Sequence, residues 1–208
     1  MGSADPYVEA YKSMREGTLY LFIAWILIGI GLASVIFGLL TTIFVGRLAS
    51  IIGALIGIII VFLIGAIVAL IGLWGKFLLG VRKLASINPD FSTASTLIYI
   101  GFFWGLILML VGLPLVLALI GIALIIIGYL LLILGDIGML IMCLKLNDLE
   151  KNLLYLVAGI LFILSIFLPI LGFIGWILLY VALGDSINKR MRAAPAPTPA
   201  PATSPSLV

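Results

Sequence analysis

The sequence predicts an all-α fold: a polytopic membrane protein with six transmembrane helices in three hairpins and both termini in the cytoplasm. Three observations carry this reading. The chain is 65% hydrophobic and 9% charged, with a mean hydropathy of +1.44, whereas soluble domains carry about 25% charged residues. Leu97 to Gly135 contains no Asp, Glu, Lys or Arg and breaks once, at Gly112-Leu113-Pro114, which suits two crossings of about 20 residues each. The charges also segregate. With six spans, Lys12, Arg15, Lys76, Arg82, Lys83, Lys145, Lys151, Lys189, Arg190 and Arg192 share one side with all eight acidic residues, and only Arg47 lies opposite. Such an excess of Lys and Arg marks the cytoplasmic face.

Residues 1–17 form an N-terminal segment. Val8, Tyr11 and Met14 recur at helical spacing with Glu9, Lys12 and Glu16 between them, which predicts a short helix lying at the membrane surface, either a solvated lead-in to the first span or a partner-binding helix. Residues 18–192 form the membrane domain. Its first hairpin has spans at about 18–40 and 48–74, turning at Thr41 to Arg47. Gly75 to Ser95 is the longest polar interval, with Phe77, Leu78, Val81 and Leu84 on one face of a second surface helix. Asn88-Pro89-Asp90 should end that helix, because a residue before proline avoids the helical region. Ser92, Thr93 and Ser95 are N-cap candidates for the next span.

The second hairpin has spans at about 96–112 and 114–135. Pro114 stands in a first turn, where its missing N–H costs nothing, and the hairpin closes at Gly135-Asp136. Asp136 to Asn152 is a second polar interval, in which Asn147 or Asp148 caps the fifth span. That span and the sixth, at about 150–168 and 170–187, turn at Pro169 and Gly172 and have short uncharged halves. Residues 193–208 alternate Ala and Pro, a composition that favours polyproline II and predicts a disordered cytoplasmic tail.

The hairpins open alike, on Thr18-Leu19-Tyr20, Leu97-Ile98-Tyr99 and Leu153-Leu154-Tyr155, and two close on Gly-Asp. Either the chain holds a threefold repeat, or Tyr sits at interfaces and Gly ends helices for general reasons.

What the chain lacks bounds its chemistry. It has no histidine, so bis-histidine haem ligation, histidine metal sites and a Ser-His-Asp triad are excluded. The single cysteine, Cys143, neither pairs within the chain nor holds an iron–sulfur cluster, and its apolar neighbours predict packing. No catalytic, cofactor or metal residue is expected. Apart from Glu150, Lys151 and Asp185 at the charged ends of the last two, the predicted spans hold no Asp, Glu, Lys or Arg, unlike ion-coupled carriers. Glutamine is absent too, and depletion of thermolabile residues points to a thermophile. There is no basic block for nucleic acid, and no cleavable signal sequence is read at the start.

The positions singled out are the Gly-Asp acids Asp136 and Asp185, the GxxxG pairs Gly53/Gly57 and Gly101/Gly105, and the turn residues Pro114 and Pro169. Small residues at GxxxG spacing let helices approach closely, here within one chain. Asp136, Asp148, Glu150 and Asp185 are expected at the cytoplasmic border, in ion pairs with Lys145, Lys151, Lys189 and Arg190.

Gly135-Asp136-Ile137-Gly138-Met139, the segment from Phe167 to Tyr180 and the linker from Asn88 to Leu97 resemble archaeal multi-pass membrane proteins of domain-of-unknown-function families. The resemblance implies a membrane location and supplies no activity. The function expected is that of a non-catalytic subunit or scaffold of a membrane assembly, with membrane-protein partners or further copies of itself beside the lipid bilayer. The alternative is a passive channel or carrier for a small neutral or apolar solute.

Overall fold

The computed structural model describes residues 5–45, 57, 60–61, 64–112, 115 and 119–193. The turn predicted at Thr41 to Arg47 is corrected over Thr41 to Val45, which continue the first helix; Gly46, Arg47, Gly53, Pro114 and the Ala/Pro tail lie outside the described residues. Among the described residues every regular element is a helix. The elements are α1 (Pro6–Val45), α2 (Ile64–Ile87), α3 (Pro89–Gly112), α4 (Ile120–Glu150), α5 (Leu153–Leu164) and α6 (Pro169–Ala193). All but α5 are long and apolar enough to cross a membrane. Each helix packs on the next, and α6 returns to α1, so the bundle closes on itself.

Three expectations are corrected at the polar intervals. Residues 6–17 lead into the first span as one reading expected, but not as a solvated surface helix: they run unbroken into it, making α1 40 residues long, about 60 Å. That is twice the thickness of a hydrocarbon core. The reason is that Val8, Ala10, Tyr11 and Met14 are buried against neighbouring helices, so the apolar stripe has a protein partner. Gly80 of α2 makes this approach close, since a Cβ there would lie 2.8 Å from the Ala10 carbonyl oxygen. The second surface helix is likewise the continuation of α2.

The third correction concerns α4, which does not close at Gly135-Asp136 but runs on to Glu150. Gly135 and Gly138 end nothing. They are contact points: a Cβ on Gly138 would lie 2.8 Å from the Ile98 nitrogen.

The caps also differ in part. Asp5 caps α1, accepting from the Tyr7 N–H at 3.0 Å with Pro6 in the first turn, the arrangement both residues favour. Asn88 ends α2 as expected, and its side chain accepts from Asp90 N at 3.0 Å, so Asn88, not a serine or threonine, caps the start of α3. Asn152, not Asn147 or Asp148, caps α5 by accepting from Leu154 N at 3.1 Å. The shift stems from Lys151, whose left-handed backbone (φ 53) terminates α4 with its N–H on the Asn147 carbonyl. Pro169 is the first residue of α6.

Packing is uneven along the bundle. Tyr11, Met14, Phe77, Leu84, Met139, Leu146, Tyr155 and Leu179 are fully buried toward the end where Asp5 and Arg190 lie. Toward the other end Ile30, Ile36, Phe37, Leu110, Ile120 and Ile126 are exposed. Soluble proteins rarely show so large an apolar surface.

Cys143 is buried in the packed end. Its thiol is expected to escape maleimide labelling in the native protein and to label fully in denaturing detergent. Labelling of the native protein at the denatured rate would contradict this packing.

Two stretches widen to π-helix, Ile71–Phe77 in α2 and Ile100–Trp104 in α3. They meet through Trp74 and Phe103, whose rings lie 4.9 Å apart.

Candidate functional site

Two polar features of this apolar bundle stand out. The first ties the termini together. Glu150, at the end of α4, is 4% exposed. Its Oε1 accepts from Arg190 Nε at 2.7 Å and from the Tyr11 hydroxyl at 2.8 Å, and lies 2.6 Å from Arg190 Nη2. Arg190 Nη1 reaches Asp5 Oδ2 at 3.1 Å, and the guanidinium lies 4.3 Å above the Tyr7 ring. Lys189 Nζ donates to the Glu150 carbonyl at 2.9 Å. One carboxylate thus joins α1, α4 and α6, and the arrangement is structural.

The second feature is Asp136. It is the only Asp, Glu, Lys or Arg between Asp90 and Lys145. It stands near the middle of α4, more than about 20 Å from each end of the helix at 1.5 Å per residue. The helix end expected at Gly135-Asp136 is therefore replaced by a position inside α4. Asp136 is half-buried and has no hydrogen-bond or ion-pair partner among the described residues. It lines a cavity of about 260 Å³ together with Trp25 of α1, Tyr129 of α4, Ser165 in the α5–α6 turn, and Phe173 and Trp176 of α6.

The elements explain the cavity. Because α5 is 12 residues long, its turn into α6 sits beside the middle of α4. There the Tyr129 hydroxyl donates to the Ile166 carbonyl at 3.4 Å. Pro169 and Gly172 also line the space; a Cβ on Gly172 would already lie 3.0 Å from Ser165 Cβ. Trp25 packs on Phe173 with centroids 5.9 Å apart. Trp25 and Tyr129 are each nearly half exposed, so the cavity opens sideways. A carboxylate walled by four aromatic rings suits a cation: the acid supplies charge and the ring faces supply cation–π attraction.

Of the positions singled out from sequence, the structure brings Asp136 and Pro169 into one cavity. Asp185 is exposed on α6 and forms no salt bridge among the described residues. Gly101 and Gly105 face α4, where Cβ atoms would meet the backbone of Gly135 and, at 2.9 Å, the Gly128 carbonyl oxygen. Gly57 has open space beside it. Of the expected ion pairs, Arg190 joins Glu150, while Lys145 and Lys151 form none among the described residues. Tyr129 and Ser165 carry no sequence signal that separates them from other interfacial residues; Trp25 and Trp176 stand out only as tryptophans near span ends.

Residues 7–208 match the family described as Protein of unknown function (DUF973), and the chain belongs to that family. No curated protein and no solved structure matches it.

Proposed function

We propose that this member of a family of unknown function is a non-catalytic integral membrane protein that binds a small lipophilic cation at Asp136. Six helices lie in the bilayer, and both termini face the cytoplasm, where the basic residues gather. The observation that carries the reading is one unpaired acid inside the long apolar helix α4, nine residues short of the next charge, Lys145. Acids within the membrane are costly, usually paired, and placed along substrate or ion paths. A passive scaffold leaves this carboxylate without a purpose, and a purely neutral solute leaves it without a counter-charge. The aromatic walls limit the occupant to something flat or apolar around its positive centre.

Tetraphenylphosphonium is a suitable probe. The purified protein is expected to bind it, and Asp136→Asn to weaken binding roughly tenfold or more, the scale of a charged contact. Trp176→Phe should leave most of the affinity. Equal binding by the wild type and Asp136→Asn would end this reading.

A further inference from the structure

A separate recess lies between α1 and α6 near their charged ends. Its volume is about 270 Å³, and Lys12, Arg15, Tyr180 and Asn188 line it, with Leu19 and Met191 at its apolar edges. Neither Lys12 nor Arg15 forms a salt bridge among the described residues. The one acid in the lining, Glu16, is held by Lys76 at 2.8 Å. Arg15 Nε is buried and has no hydrogen-bond partner among the described residues.

The guanidinium is nonetheless held in place. It lies 4.5 Å from the centroid of the Tyr180 ring, and Gly184 opposite has no side chain, where a Cβ would come within 3.2 Å of Arg15 Cζ. An oriented arginine with an unused donor, beside a lysine and an amide, has the geometry of a phosphate receptor.

The surroundings select the kind of phosphate. Leu19 and Tyr180 stand on the side of the recess that leads into the uncharged stretches of α1 and α6. Farther along the same two helices, Trp25, Ile26, Ile170 and Phe173 line an almost wholly apolar hollow of about 290 Å³. Basic pockets between helices on the cytoplasmic side are where anionic headgroups bind. We propose that the groove between α1 and α6 holds an anionic phospholipid, its phosphate on Lys12, Arg15 and Asn188 and its chain along Leu19 and Tyr180. The headgroup end stands apart from Asp136 and does not depend on its role, while the apolar hollow shares Trp25 and Phe173 with the Asp136 cavity.

The test uses the full-length protein in neutral detergent with fluorescently labelled phosphatidylglycerol or phosphatidylcholine. Phosphatidylglycerol is expected to bind at least about tenfold more tightly. At roughly fivefold per basic residue near the surface, Lys12→Gln with Arg15→Gln should remove the preference. Arg15→Lys keeps the charge but not the fork and should fall between, while Lys83→Gln, at an exposed basic residue elsewhere, should bind as the wild type does. Melting midpoints establish that each variant is folded. If the double variant does not fold, the wild-type preference and Arg15→Lys decide. Equal affinity for the two lipids, or full binding by a folded double variant, would overturn the proposal. So would displacement of the lipid by an equal concentration of inorganic phosphate, which would make this a site for the free ion.

Discussion

Arg190→Ala is expected to destabilise the protein by about 3 kcal/mol, the loss typical when one partner of a buried ion pair is removed. The reason lies in what stays behind. Glu150, 4% exposed, would keep only the Tyr11 hydroxyl on its side chain, and Asp5 would lose its bond to α6. Thermal unfolding in detergent measures the loss. Lys76→Ala is the contrast: Lys76 and Glu16 are about half exposed, and exposed pairs contribute little, so its melting midpoint should scarcely move. Lys189→Met should have a smaller effect than Arg190→Ala, because it removes only a donor to the Glu150 carbonyl. Equal midpoints for Arg190→Ala and the wild type would show that the polar junction does not hold the termini together.

Gly101→Ala is expected to cost about 3 kcal/mol or more and to lower the yield of folded protein. The added Cβ would overlap the backbone nitrogen and Cα of Gly135. Backbone cannot rotate away as a side chain tip can, so the whole α3–α4 seam must part, beyond the usual 1–3 kcal/mol of overpacking. The seam repeats the same contact. Gly105 meets Gly128, and Gly112 meets Gly121, each with a Cβ-to-carbonyl distance of 2.9 Å. Gly57→Ala is the control, since nothing lies within 4 Å of its missing Cβ. If Gly101→Ala melts with Gly57→Ala, the close seam does not stabilise the bundle.

The helical class and the gathering of charged segments at one end were legible because hydropathy and charge act residue by residue. The polar intervals were not. Val8, Tyr11 and Met14 form an apolar stripe whether it meets a lipid surface or another helix, and only the small residue Gly80 across from it decides in favour of the helix. Gly-Asp at 135–136 reads as a helix end for the same reason: a glycine that caps and a glycine that admits a neighbour look alike in one dimension. Misplacing that boundary hid that Asp136 lies inside a helix. The bond between Tyr11 and Glu150 joins residues far apart in the chain, and no local pattern announces it. The third hairpin was legible only in part: its uncharged halves are short, but the fifth span expected over 150–168 is corrected to Leu153–Leu164, because Lys151 ends α4 and Asn152 starts α5.

That short hairpin has a mechanical consequence. At 12 residues, about 18 Å, α5 is a low wall set into a ring whose other members stand much taller. If the bundle crosses a bilayer as proposed, lipid would have to thin or tilt against that sector alone, at a cost of fractions of a kcal/mol per Å of mismatch. That deformation would shrink when two such sectors face each other, so bilayer elasticity would favour association of copies by their α5 sides. Thickening the host membrane should strengthen this association without altering a single protein–protein contact.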